Sequence, residues 1–440
     1  MITAKHKMGL IFFPAFDWAI SPTHPEREER LLYTQDQLRE EGIFDIQGIQ
    51  EFKPDIATEE DVMRCHFCFP DVASVVTESH MISAGGAIRA ARAIIEGEAE
   101  RAFALVRPPG HHAMKSVHGN RGFCNINNEA IMIEYIREFT DKRRIAIVDT
   151  DCHHGDGTQD IYWNDPNVLF ISLHQDGRTL YPGSGHLSEY GGPNAKGRTI
   201  NIPLPPHTSD DGFLQAVDNI ILPILDDFKP DLIVNSAGQD NHYTDPITNM
   251  NFSAQGYAIL NDKIKPDIAV LEGGYSIQGA LPYVNLGIVL AMAGVDYSHV
   301  KEPDFDKVKD RIQQDSQTTE YINQLTDAIL QIYFHPPDDP KKSFSYPGDL
   351  ITRSKHVFYD TDGIQESQEE SVVQCHDCAG SLILKTKSSR NPLSLGIEIP
   401  VDACEICYNE GISQFEKAKK EKKHRTIQLI NRVDKEYIRL

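Results

Sequence analysis

The sequence predicts an α/β fold in which a parallel β-sheet is covered by helices on both faces. Between about residues 8 and 300, short apolar runs recur, and most end in polar residues or glycine. Helix-like patterns separate several of them, for example over 83–95 and 212–228. Apolar runs without alternation indicate strands buried on both faces, as in a parallel sheet. The predicted strands are 9–13, 102–106, 145–148, 168–173, 232–234 and 268–271.

Four of these strands lead directly into clusters of polar side chains. The clusters are DTDCHH (149–154), a run that ends in Asp240, EGGY (272–275) and RPPGHH (107–112). The carboxyl ends of parallel strands lie at one edge of the sheet, where α/β folds bind their ligands. We therefore expect the four clusters to share one pocket.

Asp151, His153 and Asp240 are the predicted ligands of a metal ion. Asp151 and His153 alternate after a strand, which directs both side chains to the same side. A lone Asp at a strand end is more often a cap, but two carboxylates and one imidazole together leave a coordination position open, as in catalytic zinc sites. Such a metal would activate a water molecule and polarise an amide carbonyl.

Further candidate catalytic residues surround these ligands. His111 and His112 are adjacent and could act as base and acid, with Asp149 and Asp156 as orienting carboxylates. Tyr275 follows two glycines and could donate a hydrogen bond to an oxyanion. These are the components of metal-assisted amide or ester hydrolysis, and they leave the substrate open.

Seven short motifs, in order, carry a resemblance to a known superfamily. They are RPPGHHA (107–113), GFCNINNEA (122–130), DTDCHHGDGTQ (149–159), SLHQ (172–175), YPGSG (181–185), SAGQD (236–240) and EGGYS (272–276). They resemble the motifs of the histone deacetylase and acetylpolyamine amidohydrolase superfamily, in its class II-like branch. HPEREERL (24–31) resembles the opening signature of that branch, and the resemblance covers about residues 8–300.

The resemblance implies an arginase-like open α/β fold with an eight-stranded parallel sheet. It implies a catalytic zinc on Asp151, His153 and Asp240. His112 would be the general base and acid, with Asp156 as its partner. His111 would pair with Asp149 and tune the local charge, and Tyr275 would stabilise the oxyanion.

The resemblance also implies a tunnel for an acyl-lysine side chain. Phe123 and Tyr181 would line it, and Gly122 would form its floor or wall. Ile247 takes the position of a gatekeeper that is acidic in acetylpolyamine specialists. Because an unpaired ammonium beside an apolar rim would lose solvation, we favour acylated lysine in a peptide or protein. An acetylated polyamine is the alternative substrate.

A bound K⁺ or Na⁺ ion near the zinc is a further implication, together with Arg30 at the inner end of the channel. The ion would bind side-chain and backbone oxygens of Asp149, Asp151, His153, Ser172 and Leu173.

A hypothesis of another class is a non-catalytic module that binds acyl-lysine without hydrolysing it. Such a module does not need an oxyanion donor or an acid–base pair. Because Tyr275, His111 and His112 are all present, we favour a zinc-dependent deacetylase.

The composition changes after about residue 300. We predict a catalytic domain over 1–335, whose last part is charged and helix-like, a proline-rich linker over 336–349, and a C-terminal domain over 350–440. The last domain carries two C-x-x-C pairs separated by 25 residues, the spacing of a zinc ribbon with a structural zinc. The stretch between the pairs suits a hairpin, and 417–425 reads as a basic terminal helix. The four ligands would be Cys375, Cys378, Cys404 and Cys407.

The net charge and the cysteines limit the classes of binding partner and the cellular compartment that we expect. The net charge of −22 argues against nucleic-acid binding through a basic surface. No apolar run is long enough for a membrane span and no secretory leader is apparent, so a reducing, cytoplasmic compartment is expected. Cys65 and Cys68 are read as ordinary thiols, with redox pairing as the alternative. The oligomeric state stays open, self-association included.

Overall fold

The structure is a computed structural model, and it describes residues 2–337 and 349–440. The predicted linker over 336–349 falls almost entirely outside the described residues, because 338–348 are not among them. It therefore stays a prediction.

Ten strands precede residue 272, and eight of them form one parallel sheet. The strands are β1 (Thr3–Phe13), β2 (Gln47–Phe52), β3 (Phe67–Cys68), β4 (Arg101–Val106), β5 (Ser116–Val117), β6 (Ile145–Asp149), β7 (Val168–Gln175), β8 (Thr199–Leu204), β9 (Leu232–Ala237) and β10 (Ile268–Leu271). The order in the large sheet is β2-β1-β4-β10-β9-β6-β7-β8, and β3 pairs with β5 in a separate two-stranded ribbon. The predicted eight-stranded parallel sheet is confirmed.

The described chain has twelve α-helices, of which the last belongs to the C-terminal part and most of the others connect these strands and cover the sheet. They are α1 (Thr34–Glu40), α2 (Glu59–Met63), α3 (Glu78–Ile95), α4 (Asn128–Phe139), α5 (Asp156–Tyr162), α6 (Asp210–Ala216), α7 (Leu222–Phe228), α8 (Ala254–Ile264), α9 (Leu281–Ala293), α10 (Phe305–Val308), α11 (Ser316–Phe334) and α12 (Glu405–Glu421). A π-helical turn over Val217–Ile221 joins α6 to α7, which gives the helix predicted over 212–228. Among the described residues, no helix has both the length and the apolar character that a membrane span requires.

Two hydrophobic clusters lie on opposite faces of the sheet. On β6, Ala146 and Val148 belong to the cluster that includes residues of α8 and α9, whereas Ile145 and Ile147 belong to the cluster that includes residues of α3 and α4. Both faces of the strand are therefore buried, which explains why its sequence is apolar without alternation.

The four strands with polar ends occupy the centre of the sheet. Their order, β4-β10-β9-β6, places them side by side. Since all four run in the same direction, their carboxyl ends lie at one edge. The expectation of one shared pocket follows from this order.

Residues 350–440 build a second sheet of six strands. These are β11 (Leu350–Tyr359), β12 (Ile364–Val373), β13 (Leu382–Ser388), β14 (Ser394–Ile399), β15 (Ile427–Asn431) and β16 (Glu436–Arg439), in sequence order across the sheet. Neighbours are antiparallel except β14 and β15, which α12 connects as a parallel pair. The hairpin predicted between the C-x-x-C pairs is β13–β14.

The prediction of a basic terminal helix over 417–425 is wrong in two respects. Helix α12 ends at Glu421, where Lys422 adopts a left-handed backbone conformation, and two strands follow it. The strand forms because Ile427 and Leu429 bury their side chains against Phe415 of α12. Charge pattern alone did not reveal this packing.

The second sheet packs on the part of the chain that contains the large parallel sheet, through aromatic residues and buried ion pairs. Phe67 and Phe69 form one cluster with apolar residues of β12, β13 and β15. A Cβ atom on Gly396 would lie 2.7 Å from the Phe67 ring, so this approach requires glycine. Beside it, Lys115 bonds to Glu398 at 2.5 Å, and Arg432 pairs with Glu134 at 2.8 Å.

We expect Glu398 to make the contact between the two parts acid-sensitive. Burial alone would raise its pKa, but Lys115 and Arg432 lower the pKa of Glu398 from 4.5 to about 2. The ionised pair therefore stabilises the fold above pH 4.5, and this contribution is lost as the pH falls toward 2. At pH 4 about 1 kcal/mol of it should be gone.

Glu398→Gln should lower the free energy of unfolding at pH 7 by about 3–5 kcal/mol, because two buried cations lose their partner. Denaturant titrations at pH 7 and pH 4 measure this, with the exposed Glu436→Gln as control. A Glu398→Gln protein that is as stable as the control would contradict the expectation.

Candidate metal centre and active site

Asp151, His153 and Asp240 converge at the carboxyl edge of the sheet. Their ligand atoms all lie within 4.8 Å of one another, and all three residues are buried. His153 Nδ1 is 2.8 Å from Asp240 Oδ2 and 3.2 Å from Asp151 Oδ1. Burial alone would lower the pKa of His153, but Asp240 and Asp151 raise it to about 10. This strong local negative potential fits a bound divalent cation.

Backbone N–H groups and glycines position the two carboxylates. Gly273 N–H donates to Asp151 Oδ2 at 2.6 Å, and Cys152 N–H donates to Asp240 Oδ1 at 2.7 Å. A Cβ atom on Gly273 would lie 2.4 Å from Asp240 Oδ2 and 2.5 Å from Asp151 Oδ2. The glycine of the EGGY motif is therefore a steric requirement of the site.

Each of the adjacent histidines has its own carboxylate. His111 Nδ1 is 3.1 Å from Asp149 Oδ2, and His112 Nδ1 is 2.9 Å from Asp156 Oδ1. Burial alone would lower the pKa of His111, but Asp151 and Asp149 raise it well above its ordinary value. Burial and the charge of His111 lower the pKa of His112 to about 3. The surroundings thus favour the charged form of His111 and the neutral form of His112, and the two rings are only 4.1 Å apart.

Arg121 is a site residue that the sequence analysis missed. Its guanidinium lies 2.5 Å from Asp156 Oδ2 and also donates to Asp156 Oδ1 at 2.7 Å. Asp156 is thus held between Arg121 and His112, and although burial opposes it, Arg121 lowers the pKa of Asp156. Its position directly before the Gly122-Phe123 motif was the available signal.

Tyr275 lies on a loop beside the pocket, and buried polar side chains fix this loop through hydrogen bonds to its backbone. Its backbone N–H donates to Asp245 Oδ2 at 2.8 Å, and Arg30 Nε donates to Gly274 O at 2.6 Å. The Arg30 guanidinium lies 5.0 Å from the centroid of the Tyr275 ring. Burial raises the pKa of Tyr275 well above its ordinary value, which keeps the phenol a hydrogen-bond donor. Asp245 is a second residue that the sequence analysis missed.

A cavity of about 280 Å³ opens onto these groups. Its walls include the predicted residues Gly122, Phe123, Tyr181 and Ile247. The catalytic candidates His111, His112 and Tyr275 line it together with the candidate metal ligand His153, and the further lining residues are Pro109, Leu180 and Asp360. Asp149 and Asp156 stand behind the histidines instead of lining the cavity.

Asp360 comes from the turn between β11 and β12, in the C-terminal sheet. Sequence reasoning had no signal for this residue, because 238 positions separate it from its hydrogen-bond partner Gly122.

The residues predicted to bind K⁺ or Na⁺ lie on adjacent strands. Asp149 of β6 pairs in register with Ser172 of β7, and Leu173 follows Ser172. Ser172 Oγ is 2.8 Å from His174 Nδ1. The cation itself stays a prediction.

Four cysteines form a second group of metal-competent side chains. The sulfur atoms of Cys375, Cys378, Cys404 and Cys407 all lie within 4.8 Å of one another. Cys375 Sγ is 3.6 Å from Cys378 Sγ and 3.8 Å from Cys404 Sγ. Tetrahedral zinc with bonds of about 2.3 Å places its thiolates about 3.8 Å apart. The cluster therefore has the dimensions of a zinc site.

Cys65 and Cys68 are buried and not disulfide-bonded. Burial raises the pKa of each thiol. Both observations favour the reading of ordinary buried thiols.

Comparisons with known proteins agree with the geometry. A sequence model described as "Histone deacetylase domain" matches residues 71–286. A "Probable deacetylase" of Archaeoglobus fulgidus is 48% identical over 311 residues, which are 64% of this chain and 85% of that protein. "Acetoin utilization protein AcuC" of Bacillus subtilis is 30% identical over 338 residues, which are 67% of this chain and 84% of that protein.

A "Histone deacetylase-like amidohydrolase" of Pseudomonas aeruginosa is 36% identical over 231 residues, half of this chain and 60% of that protein. Among solved structures, the "HDA15 HD domain" superposes with a TM-score of 0.62 at 23% identity, over 76% of this chain and 98% of that one. The superposition on this solved structure supports the arginase-like fold. Because the archaeal and Bacillus relatives are matched over most of their own length, this chain belongs to the histone deacetylase family and is a hydrolase of that family.

Proposed function

We propose that the protein is a zinc-dependent deacylase that hydrolyses the amide bond of acylated lysine in peptides or proteins. The observation that carries this proposal is the convergence of three functional groups on one cavity: the ligand cluster at Asp151, His153 and Asp240, the histidine pair, and the Tyr275 phenol. This combination supplies a metal site, an acid–base pair and an oxyanion donor, which together can hydrolyse an amide.

Asp151, His153 and Asp240 would hold the catalytic zinc. Two carboxylates and one imidazole suit zinc and leave a coordination position open for substrate or water. The bound ion would polarise the acyl carbonyl and activate a water molecule. We also propose that Asp149, Ser172 and Leu173 contribute to a K⁺ or Na⁺ site behind it.

His112 would act as general base and then as general acid. Its Nδ1 lies against Asp156, so the Nδ1 proton is donated there and Nε2 stays free to accept a proton from water. The same nitrogen can later protonate the leaving amine. His111, bonded to Asp149, supplies a neighbouring positive charge.

Tyr275 would stabilise the oxyanion that forms as the carbonyl is attacked. Its phenol is protonated and faces the cavity beside His111, His112 and His153. A hydrogen bond to developing negative charge in a water-poor site lowers the barrier more than it stabilises the substrate.

The cavity walls favour a long, mostly apolar acyl-lysine arm. Phe123 stands edge-on to Tyr275 with 5.7 Å between ring centroids, and Tyr181 stands edge-on to His112 at 5.2 Å. Leu180 and Ile247 add aliphatic surface. An acetylated polyamine is the second candidate substrate, and the Asp360 carboxylate at this cavity favours it.

For the C-terminal part, we propose a domain over 350–440 that the four cysteines hold through a structural zinc. The small apolar clusters of this sheet would gain stability from such a crosslink.

Tyr275→Phe should lower kcat on an acetyl-lysine peptide by about 10²- to 10³-fold, because it removes only the oxyanion donor. His112→Ala should cause a loss of similar or larger size. Tyr283→Phe and the exposed His299→Ala are matched controls and should keep full activity. Acetate release measures the rates, and an unchanged rate in either site variant would show that its assigned role is wrong.

The purified protein should contain two zinc ions per chain, which elemental analysis measures. Asp240→Asn should retain only the cysteine-bound ion and lose activity, whereas the exposed Asp310→Asn should retain both. Cys378→Ser should lose the other ion. Two ions per chain in Asp240→Asn would argue against the proposed catalytic site.

A further inference from the structure

The turn between β11 and β12 forms part of the active-site cavity. Asp360 in this turn is the one carboxylate among the residues that line the cavity within the described chain. The β11–β12 turn thus brings a negative charge from the C-terminal sheet to the place where a substrate would enter.

Three hydrogen bonds fix the turn against the loop that carries the cavity wall. Gly122 N–H donates to Asp360 Oδ1 at 2.9 Å, and Asn120 N–H donates to Asp362 Oδ2 at 2.6 Å. The Tyr359 hydroxyl lies 2.9 Å from Ser116 O. Asp360 is therefore held at a defined position although its side chain is exposed.

The same contacts position Phe123. Gly122 and Phe123 both adopt positive φ angles, 54° and 69°, which is costly for phenylalanine. The hydrogen bond from Gly122 N–H to Asp360 is one of the interactions that hold this conformation. The C-terminal sheet thus supports the aromatic wall as well as carrying the charge.

The charge of Asp360 is not neutralised by an ion pair within residues 2–337 and 349–440. Its Oδ1 accepts the Gly122 N–H, and its Oδ2 accepts no hydrogen bond from that part of the chain. Arg121 is influenced by the Asp360 charge, but its guanidinium bonds to Asp156. One carboxylate oxygen is thus available to a donor from the substrate.

We infer that Asp360 is a specificity-determining residue that binds a cationic nitrogen of the substrate while the acyl arm enters the cavity. The inference rests on the proposed function. A carboxylate forms strong, charge-assisted hydrogen bonds with an ammonium or guanidinium group. Among the described residues that line the cavity Asp360 is the one carboxylate, so it is the anion that a substrate cation would meet there. The cation could belong to a polyamine or to a basic residue beside an acyl-lysine.

Two matched pairs of substrates distinguish these sources. The first pair is N-acetylputrescine and N-butylacetamide, which share a carbon chain but differ in the ammonium group. The second pair is an acetyl-lysine peptide with a neighbouring arginine and the same peptide with citrulline. The variant is Asp360→Asn in the full chain, because asparagine keeps an oxygen for Gly122 N–H and removes only the charge. Asp310→Asn is the control for loss of an exposed, remote charge.

Asp360→Asn should lower kcat/KM for the cationic member of a pair by about 2- to 5-fold, mainly through KM, and leave the neutral member unchanged. The rate advantage of the cationic substrate in the wild type should also fall as salt is raised, and less so in Asp360→Asn. An effect in the first pair alone assigns the cation to a polyamine, and one in the second pair alone assigns it to a peptide.

An unchanged ratio of cationic to neutral substrate in both pairs would overturn the inference while acetyl-amide hydrolysis by the wild type stands. Failure of the proposed function looks different, because the zinc-loaded wild type would then release no acetate from either acetyl-lysine peptide. Asp360→Ala should in addition slow the neutral substrates, since Gly122 N–H loses its acceptor. A thermal unfolding midpoint close to that of wild type confirms that each variant is folded.

Discussion

Three buried carboxylates, Asp149, Asp151 and Asp240, meet at the centre of the sheet edge, and the surrounding structure depends on stabilising them. Removing charged groups from water is costly unless they are paired, hydrogen-bonded or bound to a metal. Asp151 and Asp240 each accept a hydrogen bond from a backbone N–H group, and Asp149 is within hydrogen-bond distance of His111 Nδ1. His153 is left between two acids, which is the arrangement that a divalent cation completes.

More distant residues serve the same edge. Glu26 lies fully buried between Arg30 and Arg107, at 2.9 and 2.7 Å. Arg30 in turn binds the backbone of the loop that carries Tyr275, through Gly274 O. The phenol is therefore held by a chain of buried ionic contacts that begins near the N-terminus. Such hydrogen-bond networks are rigid when every polar group in them has a partner. A rigid network suits Tyr275, because an oxyanion donor is most effective when its position is fixed before the reaction.

The sequence predicted which side chains meet at the ends of the strands. Asp151, His153, His112 and Tyr275 each follow a buried apolar run, so the parallel sheet alone brings them to one edge. The pairing of His111 with Asp149 was expected from the family resemblance, and the two side chains lie in contact.

Contacts between distant segments could not be predicted in this way. Asp360 reaches Gly122 only because the C-terminal sheet packs on the β3–β5 ribbon through Phe67 and Phe69, and no local pattern encodes that packing. The helix predicted over 417–425 ends at Glu421, four residues early, for a related reason. Its charges suggested a continuing helix and did not reveal that β15, which follows it, packs its apolar residues into the second core.

We propose above that the buried acids at the sheet edge bind zinc. X-ray data collected on either side of the zinc absorption edge from crystals of the full chain test it most directly. An anomalous peak should lie about 2.0–2.2 Å from His153 Nδ1 and from oxygens of Asp151 and Asp240. A second peak should lie among the four cysteines. A peak at the cysteines alone, in zinc-loaded and catalytically active protein, would contradict it.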